Sequence, residues 1–190
     1  MGAGGRITAV SRAGSTSGAS FRSIPAYPYW ASKPPTYQKM SRTLYNVVEP
    51  PTGETYRQLV AFLFRYSASC SLVLRKQIPT TPSQQVFLDR AQQFLVKKSE
   101  QKEWPGTLLL GGVADVFVYQ LTRDLEFLIL QANGLYDWQS PNLPEDIAFY
   151  RSDNSLLLGS IAHESDSFLE LTEKEREDLY QIVPAIKIAL

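Results

Sequence analysis

From Thr107 to His163 the apolar residues leave helical spacing and fall into consecutive short runs: Leu108 to Leu110, Val113 to Leu121, Leu125 to Leu130, Ile147 to Arg151 and Leu156 to His163. Turn residues part them at Gly111-Gly112, Thr122-Arg123-Asp124 and Ser152-Asp153-Asn154. Apolar and β-branched runs cut by such residues read as strands. Strands that follow one another without an intervening helix pair antiparallel through short connections. Helical patterns lie only before and after this block, so the chain is expected to be α+β. The sheet should be antiparallel, with about five strands, packed by two N-terminal helices and one C-terminal helix. The Gly111-Gly112 pair reads as a bulge or tight bend within a longer strand.

The helices carry their own signals. After Pro50-Pro51-Thr52-Gly53, the residues Tyr56, Leu59, Val60, Leu63 and Phe64 mark one face of an amphipathic helix. Cys70 to Leu74 then reads as a first strand with Cys70 as a small core residue. Thr81-Pro82-Ser83-Gln84 opens a second helix, with a Thr cap, Pro at the first position and Gln three residues on. Its buried stripe is expected at Phe87, Ala91, Phe94 and Leu95, with Lys97 and Lys98 at its negative pole. Thr172 and Glu175 form a capping box for the last helix, which Pro184 bends or ends. Glu170 to Asp178 reads as a solvated helix face with i, i+4 pairs such as Glu170–Lys174, or as an acidic surface for a basic partner. No repeat of solenoid or propeller period occurs.

Composition narrows the function classes. The 190 residues hold 19 basic and 19 acidic side chains. A net charge of zero gives no global field to gather nucleic acid or an anionic membrane, and neither is expected as a partner. Residues 1–39 hold Arg6, Arg12, Arg22, Lys33 and Lys39 and no acid, so residues 40–190 carry 14 basic against 19 acidic groups, a net of −5. The leader is Ser/Gly-rich and then rich in Pro and aromatics, and is expected to be disordered, with 40–190 as a single domain. It has a transit-peptide composition without an amphipathic stripe, and no apolar core of a secretory signal. An appended or upstream-translated tail, or a tail docking on a partner through Tyr27, Tyr29 and Trp30, fits it as well. One cysteine, Cys70, favours a reducing, cytoplasmic setting. No apolar run approaches the roughly 20 residues needed to span a bilayer.

No phosphate loop, dinucleotide fingerprint or His/Cys metal set occurs, and neither a cofactor nor a metal is expected. His163 could act as a general base if the fold brings Asp137 or Asp146 to it, since adjacent Glu164 would point to the other side of a strand. That would make a small hydrolase-like enzyme. The cluster Tyr136, Asp137, Trp138, Glu145, Asp146, Phe149, Tyr150 and Arg151 offers a different use. Aromatic residues with Arg are enriched among interface anchors, although Trp138 and Phe149 could equally plug the end of the core.

The stretch Tyr136-Asp-Trp-Gln-Ser-Pro-Asn-Leu-Pro-Glu-Asp-Ile-Ala-Phe-Tyr-Arg151, running into Gly159-Ser-Ile-Ala-His-Glu164, resembles small uncharacterised bacterial α+β domains, some of them of the immunity-protein kind. The resemblance spans about residues 50–182. It implies a cytoplasmic binding domain and no catalytic residue, and the acid-free leader departs from it. The leading expectation is therefore a non-enzymatic protein-binding module of inhibitor or immunity type. It would present Tyr136, Asp137, Trp138, Glu145, Asp146, Tyr150 and Arg151, with Glu173 to Asp178, to a protein partner, a basic one by charge. The oligomeric state is open, and the apolar tail Ile182 to Leu190 could instead pack on another chain.

Overall fold

The computed structural model describes residues 41–190; expectations for the leader fall outside them. The elements run β1 (Thr43–Val47), α1 (Gly53–Tyr66), β2 (Ser69–Arg75), α2 (Pro82–Ala91), β3 (Leu95–Gln101), β4 (Glu103–Trp104), β5 (Thr107–Leu108) and β6 (Ala114–Gln120), then α3 (Arg123–Ile129), β7 (Glu145–Tyr150), β8 (Leu156–Ile161), β9 (Asp166–Leu171), α4 (Glu173–Ile182) and β10 (Ile188–Ala189). Eight strands form one sheet in the order β10-β1-β9-β8-β7-β2-β6-β3, while β4 and β5 make a separate hairpin. Every neighbouring pair in the main sheet is antiparallel. The α+β class and the antiparallel sheet are as expected. Among the described residues the sheet has eight strands rather than five, and four helices rather than three accompany it.

The miscounts have local causes. Leu125 to Leu130, expected as a strand, forms most of α3 and its C-cap, Leu130. The Thr122 side chain accepts the Leu125 N–H at 3.2 Å, Asp124 and Glu126 sit in the positive first turn, and Leu125, Leu128 and Ile129 bury one helical stripe. Conversely, the second helix stops at Ala91, and after a 3-10 turn at Gln92–Phe94 the chain becomes β3. Lys97 and Lys98 are strand residues, so no helix dipole acts on them. Asp166–Leu171 is a strand too, and Glu170 cannot pair with Lys174 along a helix. Lys174 instead reaches Asp178 at 3.1 Å. Gly111 and Gly112 have φ of +95° and +84° and lie in the loop between β5 and β6, not inside a strand. The C-terminal tail packs on its own sheet, with β10 beside β1 and Val183 and Ile186 buried.

Alternation gives the two faces of the sheet different loads. Cys70, Leu72, Phe117, Tyr119, Phe149, Leu158 and Leu169 point to the face where all four helices bury side chains, and this is the main core. Tyr56, Leu59, Val60, Phe62 and Leu63 are the buried stripe of α1. The intervening residues Val73, Ala114 and Val116 point the other way and, among the described residues, meet the hairpin through Trp104, with Leu109 packed beside it. Close approach makes this possible: a Cβ on Gly159 would stand 2.7 Å from the Phe168 ring and 3.0 Å from Pro105. Gly106, at φ +80°, turns the hairpin over that spot.

Candidate functional site

The aromatic, acidic stretch is mostly interior. Trp138 is 0% exposed, stacks edge-on against Phe87 at 5.3 Å and donates its indole N–H to the Tyr56 hydroxyl at 3.0 Å. That hydroxyl in turn donates to the Ile129 carbonyl at 3.0 Å. Burial pushes the Tyr56 phenol well up, against the Trp138 hydrogen bond, so it stays neutral. Phe149 lies in the same core. Trp138 and Phe149 are therefore the core plug, and the expected presented surface loses its largest aromatic.

The charged members of the stretch are fasteners. Between Ala148 and Glu145 strand β7 has one more residue than β2 opposite it, and at this bulge Asp146 takes a left-handed φ of +53°. Its carboxylate, 2% exposed, accepts the Trp104 indole N–H at 2.8 Å and the Ala162 N–H at 2.9 Å. The bulge thus ties the hairpin to the sheet. Glu145 is buried 2.7 Å from the Arg75 guanidinium. Arg151, also buried, grips Glu175 with two hydrogen bonds of 2.8 and 2.9 Å, and donates to the carbonyls of Leu156 and Glu170. Glu175 also accepts the Thr172 N–H at 2.7 Å in the capping box. Burial raises the Glu175 carboxyl, but Arg151 and the Thr172 hydrogen bonds outweigh it and hold the group below its ordinary value. Along α4, Arg176 pairs with Glu173, and Asp178 accepts from both Lys174 and the Tyr66 hydroxyl, so much of the expected acidic surface is internally neutralised.

His163 does not meet the acids proposed for it. Strand β8 ends at Ile161, and His163 sits exposed on a 3-10 turn, Ala162–Glu164, with Nε2 at 3.6 Å from Glu164. Asp146 has both carboxylate oxygens occupied elsewhere, and Asp137 accepts the Asn133 N–H at 2.8 Å. Among the described residues no group of three or more His, Cys, Asp and Glu is placed to hold a metal ion. No helix there is long and apolar enough to cross a membrane.

Two hollows remain. One, of about 630 Å³, lies beside the loop after α3 and includes Asp137, Asn133, Gln131 and Gln139. Its polar groups are largely engaged: Gln139 donates to the Tyr136 carbonyl at 2.6 Å and Gln131 accepts from Arg90 at 2.8 Å. The other, of about 470 Å³, is a groove on the helix-free face beside the hairpin. Val116, Val118, Ser71 and Tyr150 form its floor, Trp104 a wall, and Val96 and Lys97 of β3 line its outer side. Tyr150 and Ser71 share a hydrogen bond at 3.2 Å. Of the sequence-selected residues, only Tyr150 reaches this groove, and only Asp137 the first hollow. Trp104 and Val96 carry no signal in the sequence, and Lys97 reads there as a helix end, because the polar Ser99–Glu103 run masks the strand. No family model matches the chain, and no curated protein or solved structure matches it.

Proposed function

We propose that this chain is a non-enzymatic protein-binding module of the inhibitor or immunity kind, working in the reducing cytoplasm, and that it binds through the helix-free groove. The observation that carries this reading is the half-covered face. The hairpin shields Val73, Ala114 and Val116, yet beside it a groove with Val118, Tyr150 and exposed Val96 along it and a mostly polar rim stays open among the described residues. Such a centre-and-rim arrangement is what interface anchors use. The buried lone thiol of Cys70 accords with a reducing compartment. Elsewhere the acidic and aromatic candidates are committed to the core, which leaves the groove as the better surface than the Tyr136–Arg151 stretch.

The test is capture from the source cell on the immobilised full chain, repeated with Val96→Asp, a change at a position already 65% exposed. The stoichiometric partner held by the native chain should be lost with Val96→Asp at an unchanged melting temperature, and kept with Asp137→Ala. Loss with Asp137→Ala and retention with Val96→Asp would move the binding surface to the loop after α3.

A further inference from the structure

Resting on that reading of the groove, we infer that the partner contributes an extended peptide segment that adds to β3 as a ninth strand and places a carboxylate against Lys97. Strand β3 ends the sheet and pairs only with β6, so one row of its backbone N–H and C=O groups has no strand partner among the described residues. The opposite edge, β10, is two residues long, whereas β3 has seven. A long open edge is a template for strand addition: main-chain hydrogen bonds supply affinity and alternate side chains supply specificity.

The two lysines on β3 divide by face. Lys98 lies opposite Phe117 on the helix side, 2.9 Å from Asp115 and over the Phe117 ring at 4.9 Å, so its charge is already met. Lys97 lies opposite Val118 on the groove side, is exposed, and has no ion pair among the described residues. Among the described residues it is the one charged side chain lining the groove. Ser99 and Gln101 follow it on the same face, joined by a 2.9 Å hydrogen bond. A strand laid along this edge therefore meets exposed Val96, the extra residue of a bulge, then among the described residues a lone cation, then the neutral polar Ser99 and Gln101, with buried Trp104 beyond them beside Ala114 and Val116. An alternating apolar segment with one Asp or Glu matches that order. A basic segment would set like charge against Lys97.

The test selects displayed random heptapeptides on the full chain and measures the best synthetic peptide by calorimetry. Selected sequences should alternate apolar residues around one acid. Changing that acid to its amide, or Lys97→Glu in the protein, should weaken binding by about fivefold or more. Methylating alternate backbone nitrogens of the peptide should weaken it by at least about tenfold, because a methylated nitrogen cannot join the ladder. Peptides that need Val96 but ignore backbone methylation would overturn strand addition while leaving the groove as the binding surface. Peptides indifferent to Val96→Asp as well, or no enrichment over bare support, would overturn both. Concentration-dependent dimers in sedimentation that Lys97→Glu abolishes would make a second copy the occupant and overturn the peptide assignment.

Discussion

Arg151 shows how one side chain changes meaning between the two levels of description. In the sequence it closes an aromatic, acidic stretch and reads as an interface anchor. In the fold it is the counter-ion that lets Glu175 be buried, and it also holds the carbonyls of Leu156 and Glu170. Removing either member of a buried pair strands the other, which costs more than the pair itself contributes. The depressed Glu175 carboxyl makes this visible in pH. A lowered folded value means stability that is complete above the ordinary carboxyl range and lost as pH falls below about 4.3, through the folded value. Thermal melting between neutral pH and pH near 3 should therefore show a steeper acid loss in the native chain than in Glu175→Gln. Equal slopes would mean that Glu175 does not contribute to the acid transition.

At the scale of elements, the hairpin of β4 and β5 is the piece that propensity least explains. It has two residues in each strand, a two-stranded ribbon of this size is marginal alone, and its position rests on Trp104, the Gly159 gap and the Asp146 carboxylate. Asp146→Ala leaves the Trp104 and Ala162 N–H groups without their acceptors and should cost about 1–3 kcal/mol for each donor left buried. Hydrogen exchange should quicken at 103–108 well before the β2 centre. An unchanged melting temperature and uniform exchange would show that the hairpin is held by packing alone. The same scale explains which elements the amino-acid pattern disclosed. α1, α2 and α4 announce themselves through stripes and capping boxes confined to neighbouring turns, and the turn through Asn154, at φ +62°, through its residue types. α3 is only seven residues, and its apolar Leu125, Phe127, Leu128 and Ile129 read as a strand run that follows a Thr122-Arg123-Asp124 turn, although Thr122 is the helix cap. β3, with Lys97, Lys98, Ser99 and Glu100, lacks apolar alternation because one of its faces meets a charged cluster and its edge meets solvent.

At the largest scale, among the described residues, the sheet is loaded with helices on one face and with a single hairpin on the other. Cys70 sits at the centre of the loaded face, 0% exposed, and burial pushes its thiol well up. Its modification by an aromatic disulfide reagent should follow global unfolding, at least about a thousandfold slower in native buffer than in denaturant. Rapid native labelling would mean that β2 opens independently of the rest. Helix faces, caps, turns and the inward set of Cys70 were legible in the chain because each depends on residues within about one turn or one strand of itself. Burial of Asp146 and Arg151, the seat of Trp104 and the open edge at β3 were decided by tertiary structure. Trp104 and Asp146 are 42 positions apart, and Arg151 and Glu175 are 24. Whether such a charge is a solvated anchor or an interior fastener depends on which distant segment comes within hydrogen-bond reach, and no local spacing encodes that meeting.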